Sequence, residues 1–408
     1  MKLSRRLKIL VIVQVVGLLY CGSLYFGWKL DPSDMQTRIR NAWAGSSHRL
    51  VVFGDDWSDT GEYRVSPPPK EYSKARDPGQ GELWTEVLCK ELGCDSIHNF
   101  ARSLPSNLEI AIIGSLVDSD IYDNATAEGR IETLALFDFK TQVQQFLAFD
   151  KQSSRMSGRR TRQEASTFTV FFGIWDIWEY AVFSKDTAIH AINLSIDELF
   201  RNLDLLAERM GGPITVVIPR VPDVTFLPRF QSRKYQNAAS FGHDQHQYVY
   251  LSTYWNTILS ETALLWRNGD VFIPGLNNII VDQIRAKQLH SSRVSDANGL
   301  GKLTPLFDDV EKPCKPLEAQ SKDGEETHAG SAERCLEPDR HLFWDDMRIS
   351  GPAHKLIGDE AARLLRGNIS VNGYARDHAN DLDLAATLFQ NGGSKNLTQF
   401  ELRAPPGY

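Results

Sequence analysis

The sequence predicts a three-layer α/β/α sandwich built on a central parallel sheet. Three observations lead there. Compact apolar runs recur at His48–Phe53, Thr167–Phe172, Ile214–Pro219 and Val271–Ile273. Segments with helical spacing separate them, so successive strands are joined by crossovers rather than hairpins. Hydrophobic residues make up 42% of the 408 and charged residues 24%, with 29 Gly and 18 Pro. That is a globular composition, and it excludes wholesale disorder and collagen-like repeats.

The first element precedes the sandwich. Residues 1–8 are a basic flank with Lys2, Arg5, Arg6 and Lys8, and residues 9–28 carry no charge. Twenty helical residues span about 30 Å, the hydrocarbon thickness of a bilayer. Basic residues hold their end in the cytosol. The segment therefore reads as the signal anchor of a type II membrane protein of the secretory pathway (Golgi, ER or cell surface). The alternative is a cleaved signal peptide and a secreted protein. The apolar run is longer than the roughly 7–15 residues of such a peptide and lacks a small-residue cleavage site. Residues 29–47 form a polar stem.

A single domain is expected over residues 48–367. His48–Phe53 reads as a buried strand ending at Gly54, and a loop with Pro67, Pro68 and Pro69 follows. An amphipathic helix is expected over Glu82–Leu92, with apolar-periodic segments at Asn107–Val117 and Leu136–Phe149. Lys151–Arg162 is basic, a surface loop or helix end. After the strand Thr167–Phe172, helical patterning over Ile196–Met210 stops at Gly211-Gly212-Pro213. A helix over His243–Arg267 precedes the last strand, and another follows it. Residues 308–338 read as a surface loop and Pro352–Arg366 as the closing helix. Residues 368–408 are a polar tail.

Cys21 lies in the apolar segment, which leaves four cysteines for the lumen. Cys89 with Cys94, and Cys314 with Cys335 across a polar loop, are the expected local disulfides, although spacing alone leaves connectivity open. A Cys-x4-Cys spacing without a matching Cys or His pair argues against structural zinc. Asn124, Asn193, Asn368 and Asn396 head sequons. Forty-five basic against 52 acidic side chains give net −7, which is no footprint for nucleic acid.

Reactive groups in an open parallel sheet gather at the carboxyl ends of the strands. Four segments have that character. The first strand runs into Gly54-Asp55-Asp56-Trp57-Ser58-Asp59-Thr60-Gly61, and a second block is Asn99-Phe100-Ala101-Arg102-Ser103-Leu104. The third is Gly173-Ile174-Trp175-Asp176. The fourth is Phe343-Trp344-Asp345-Asp346-Met347-Arg348, followed by Gly351, Pro352 and His354.

In this order and spacing the blocks resemble the GDSL or SGNH hydrolase family, most closely its carbohydrate-esterase and plant-lipase-like branch found in fungi and plants. The resemblance runs over about 300 residues and includes Gln142 and Phe146. It implies a flavodoxin-like sandwich and an esterase centre. In the family the first block supplies the serine nucleophile, and the second a glycine N–H for the oxyanion. The third supplies an asparagine that completes the oxyanion hole, and the fourth, Asp-x-x-His, the acid and base. Carried over singly, the nucleophile position holds Asp56 and the glycine position Leu104. Trp175, between Gly173 and Asp176, stands at the asparagine position, and Arg348 at the histidine position. Only the triad aspartate, Asp345, is kept. Gly54, Asp55, Asp59 and Gly61 fix the register of the first block on both sides.

A carboxylate attacks esters weakly, and a guanidinium does not deprotonate in a protein. The resemblance therefore implies a degenerate esterase that binds a glycan or a protein partner. The alternative is a carbohydrate ester hydrolase or acyltransferase using rearranged residues. No cofactor and no metal are expected. Asp55, Asp56, Asp59, Asp176, Asp345 and Asp346 are oxygen ligands suited to a hard cation, but the plainer reading has them capping loops or pairing with arginine. A glycosidase-like carboxylate pair, Asp56 with Asp345 or Asp346, has no supporting pattern. Trp175, Trp178, Tyr180 and Trp344 line a sugar-stacking cleft or belong to the core. His243 and His246 read as a solvated helix face, and His354 as a packing residue. Asp56 and Arg348 have opposite charge at adjoining positions, so a direct bidentate pair is expected, with Asp345 beside it.

Overall fold

Five parallel strands form one sheet in the order β2-β1-β3-β4-β5. The computed structural model describes residues 48–61, 76–103, 114–125, 137–156, 165–236, 238–315 and 334–373. Strands β1 (His48–Gly54) and β3 (Ala165–Phe171) are central and paired over seven residues, from His48 opposite Ala165 to Gly54 opposite Phe171. Helices cover both their faces, which is why Leu50-Val51-Val52-Phe53 is apolar without alternation. Strands β4 (Ile214–Val217) and β5 (Gly269–Phe272) extend the sheet on one side, and β2 (Ser96–Asn99) on the other.

Nine helices stand among the described residues: α1 (Trp84–Leu92), α2 (Ser119–Ala125), α3 (Phe139–Met156), α4 (Ile174–Tyr180), α5 (Lys185–Met210), α6 (Pro228–Gln236), α7 (Ala238–Leu265), α8 (Leu276–Ser291) and α9 (Gly351–Arg366). Helices α1, α8 and α9 make one outer layer, and α3, α4, α5 and α7 the other. The chain is a three-layer α/β/α sandwich. On the α3 side Phe53 meets Phe100, Phe139, Phe146 and Phe168, with ring centroids 5.5 to 6.4 Å apart. On the other side Phe171 meets Trp57 and Trp84. Burying rings of this size is the main apolar contribution to such a core.

Several elements differ from the sequence expectation. β2 was not foreseen, because Ser-Ile-His-Asn contains one apolar residue and borrows its place from pairing with β1. α5 begins eleven residues before Ile196, at a Ser184 cap whose hydroxyl accepts the Thr187 N–H. α3 continues through Met156, so the start of the basic stretch is helix. Past α9 the chain turns back onto the sheet. The Asn372 amide accepts from the Val271 N–H at 3.1 Å and donates to the carbonyls of Trp266 and Gly269. The packed domain therefore runs beyond Gly367, to Gly373.

Both disulfides form between local partners, Cys89 with Cys94 and Cys314 with Cys335. They are the chemistry of an oxidising, luminal or extracellular compartment. No helix among the described residues is long and apolar enough to cross a membrane, and the segment 9–28 lies outside them. Of the sequons, Asn124 is exposed on α2. Asn193 sits on α5 with its oxygen accepting from the Tyr254 hydroxyl, Asn368 is exposed after α9, and Asn396 is outside the described residues.

Cys314 and Cys335 are 21 residues apart. Non-reducing peptide mapping should recover that link, and replacing both by serine should cost roughly 3 kcal/mol in denaturant unfolding. A free thiol at either position would refute the pairing.

Candidate functional site

Strand order reverses between β1, whose chain continues outward to β2, and β3, which continues to β4. Ligand crevices of open parallel sheets form at such a switch point, outside the carboxyl ends of the strands. The loops leaving β1 and β3 carry the first and third blocks, and the Trp344–Arg348 loop arrives beside them. In the first loop the Asp55 carbonyl accepts from the N–H groups of Ser58 and Asp59, and its carboxylate accepts from Trp57 N–H at 3.0 Å. This tight turn presents Asp56. The Trp57 indole donates to the Met347 carbonyl at 3.1 Å, tying the first loop to the last.

The Asp56 carboxyl is 3% exposed and receives the Trp175 indole N–H at 2.6 Å. Trp175 lies in the first turn of α4, whose cap Gly173 has φ 116, a left-handed value that a side chain would strain. The Asp176 carboxylate fixes this start, accepting from Gly173 N–H and Val117 N–H, each at 3.0 Å. The indole lies close against Gly114, where an added Cβ would fall 1.9 Å from its nitrogen. Only glycine fits there.

The fourth block closes on itself. Arg348 donates to the Asp345 carboxylate through Nε at 2.7 Å and Nη2 at 2.5 Å, while Asp345 also accepts from the N–H groups of Met347 and Arg348. The expected direct Asp56–Arg348 pair is not formed. No ion pair joins the two among the described residues, and Arg348 acts on Asp56 only through space. The local partner wins because the loop already points Asp345 at Arg348, three residues on. Next to it, Arg229 at the start of α6 donates to Asp346 at 2.5 Å and lies over the Trp175 ring at 5.6 Å. Sequence reasoning passed over Arg229. Its signal was a cation in the first turn of a helix, where the macrodipole disfavours positive charge.

Burial dominates the titration of the site. It pushes Asp56 up to about 6, against the pull of Arg348 and the Trp175 hydrogen bond. It pushes Asp176 up to about 7 despite backbone N–H donors that include Val117 and Gly173, and raises Asp55 well above the ordinary range. Burial also acts on Asp345, but the Arg348 charge overrides it and holds that carboxyl low. His354 is wholly buried beside Trp57, with neither ring nitrogen hydrogen-bonded. Burial and the Arg348 charge lower it to about 3, so the ring is neutral.

The remaining residues fall into place around this centre. The Ser58 hydroxyl is buried and accepts from the Trp84 indole, and Ser103 donates to Asp59. Trp175, Trp178, Tyr180 and Trp344 are all buried, so they belong to the core rather than to an open stacking cleft. Among the described residues no three His, Cys, Asp or Glu side chains are set to share a metal ion. His243 and His246 are exposed on α7, and Leu104 lies outside the described residues. Compared with protein-family models and with curated proteins, the chain matches none.

A carboxyl raised in the fold holds its proton more tightly folded than unfolded. The stability this gives is complete below the ordinary value of 3.8 and is lost as pH climbs through about 7. Asp176→Asn should therefore flatten the fall of unfolding free energy between pH 4 and 7, by up to about 1.4 kcal/mol per pH unit. Identical slopes in denaturant titrations would exclude it. Trp175→Phe removes a donor that favours ionised Asp56. The carboxyl should then titrate above about 6, read from its infrared band, with a stability loss of about 1–3 kcal/mol.

Proposed function

We propose that the chain is a membrane-anchored protein of the secretory pathway in which a GDSL/SGNH-type sandwich serves binding rather than ester hydrolysis. Its ligand would be a glycan or a protein partner. One observation carries this reading. Asp56 is held by the Trp175 indole and Arg348 by Asp345, so no hydroxyl–imidazole pair stands where a nucleophile and its base would have to meet. The imidazole nearest this point among the described residues, His354, is buried and without a hydrogen-bond partner. Binding is favoured by what faces the mouth. Arg348, Arg229 and Asp345 keep 28%, 20% and 18% of their side chains exposed. They form rigid donor and acceptor pairs, which suit a ligand rich in hydroxyls.

The hydrolase or acyltransferase reading rests on Asp56 itself, a carboxyl titrating near neutral pH at the expected nucleophile position. The two separate in one experiment. Full-length protein should neither release p-nitrophenol from p-nitrophenyl acetate nor react with an organophosphonate probe. A triple variant, Asp56→Ser with Trp175→Asn and Arg348→His, should become labelled. Turnover by the unaltered chain that disappears in Asp56→Asn would reverse the proposal.

A further inference from the structure

Helix α8 begins directly after β5 and carries its C-terminal end about 24 Å along its axis, away from the strand ends that bear Asp56. There the chain makes a broad, open cleft of about 610 Å³, lined by His290, Ser291, Arg293, Val294, Ser295, Gly301 and Lys302, most of them exposed. Three of these are basic, two are hydroxyls and none is a carboxylate. Among the described residues none of the three basic side chains has an ion-pair partner. The nearest loop carboxylate, Asp296, is already engaged. It accepts from the N–H groups of Asn298 and Leu300 and faces Arg285 at 3.4 Å. In a chain of net charge −7, this is a local cluster of basic side chains.

Helix capping does not account for the cations. The turn itself takes the last carbonyls of α8, with Ser292 N–H on Gln288, Arg293 N–H on His290 and Val294 N–H on Leu289. That is a Schellman turn, and its left-handed position normally falls to glycine. Here it is Arg293, with φ 57. The chain thus places an arginine at a position that glycine would adopt without strain. Five donor-bearing side chains around one cleft exceed what a planar carboxylate can accept, and they match a tetrahedral oxoanion.

We propose that this cleft binds a phosphate or sulfate group, on a soluble ester or on a lipid headgroup. Arg293 and Lys302 carry the charge, and Ser291, Ser295 and His290 complete the donor set.

Full-length protein in dodecyl maltoside, titrated calorimetrically with inorganic phosphate and with sulfate, should show saturable binding in the millimolar range or tighter. Arg293→Gly and Lys302→Ala should each weaken it at least tenfold. Arg293→Gly also removes the left-handed strain, so its melting temperature should stay level or rise, which separates lost binding from lost folding. Absence of saturation at tens of millimolar, or wild-type affinity in Arg293→Gly, would overturn the proposal. Adding phosphatidic acid to the micelles tells the two sources apart. Suppression of phosphate binding identifies the headgroup, and unchanged binding identifies a soluble ester.

Discussion

The burial of the Asp56 carboxyl under a single indole donor is the constraint around which the rest of the mouth is arranged. A carboxyl this enclosed needs a hydrogen bond, and the Trp175 N–H supplies it at 2.6 Å. Trp175 in turn needs α4 to start where it does, so Gly173 takes a left-handed conformation and Asp176 is buried to hold that start. The indole also needs a backbone without a side chain beneath it, at Gly114. Substituting any one of these disturbs the others. The centre behaves as one packed unit rather than as a set of independent reactive groups.

Charge at the same place is distributed by locality. Arg348 and Arg229 lie close enough to act on Asp56 through space, yet each bonds to a carboxylate in the Asp345-Asp346 pair. Asp345 is the better partner for Arg348 because two backbone N–H groups already orient it. The outcome is a mutually braced mouth of paired charges. Among the described residues, Asp56 and Arg348 are each engaged by another side chain rather than by one another.

What could be read in the sequence follows from which forces act locally. The central strands were legible because burial on both faces demands unbroken apolar runs such as Leu50-Val51-Val52-Phe53. The β2 strand was not, since its four residues depend on a neighbour 47 residues earlier for their conformation. The first half of α5 was obscured by the polar start Lys185-Asp186-Thr187. At the site, the structure brings Asp56 and Trp175 into contact and keeps Asp345 on Arg348, but the direct Asp56–Arg348 pair expected from their charges is not formed. The Trp175 indole was available as a donor, but Asp56 was not foreseen as its acceptor. Asparagine and tryptophan each present a side-chain N–H, and that equivalence could have pointed to the Asp56–Trp175 contact.

The turn of chain after α9 has a further consequence. By bonding to Val271, Gly269 and Trp266, the Asn372 side chain occupies the rim of β5, where a sixth strand would otherwise attach. An open parallel sheet is a template for the strands of other molecules, and proteins crowded into a lumen meet such templates constantly. One amide side chain closes this template without adding a strand. The six residues beyond α9 thus cover part of the β5 edge, and a chain trimmed at the helix end would leave the Val271 N–H and the Gly269 carbonyl without this partner.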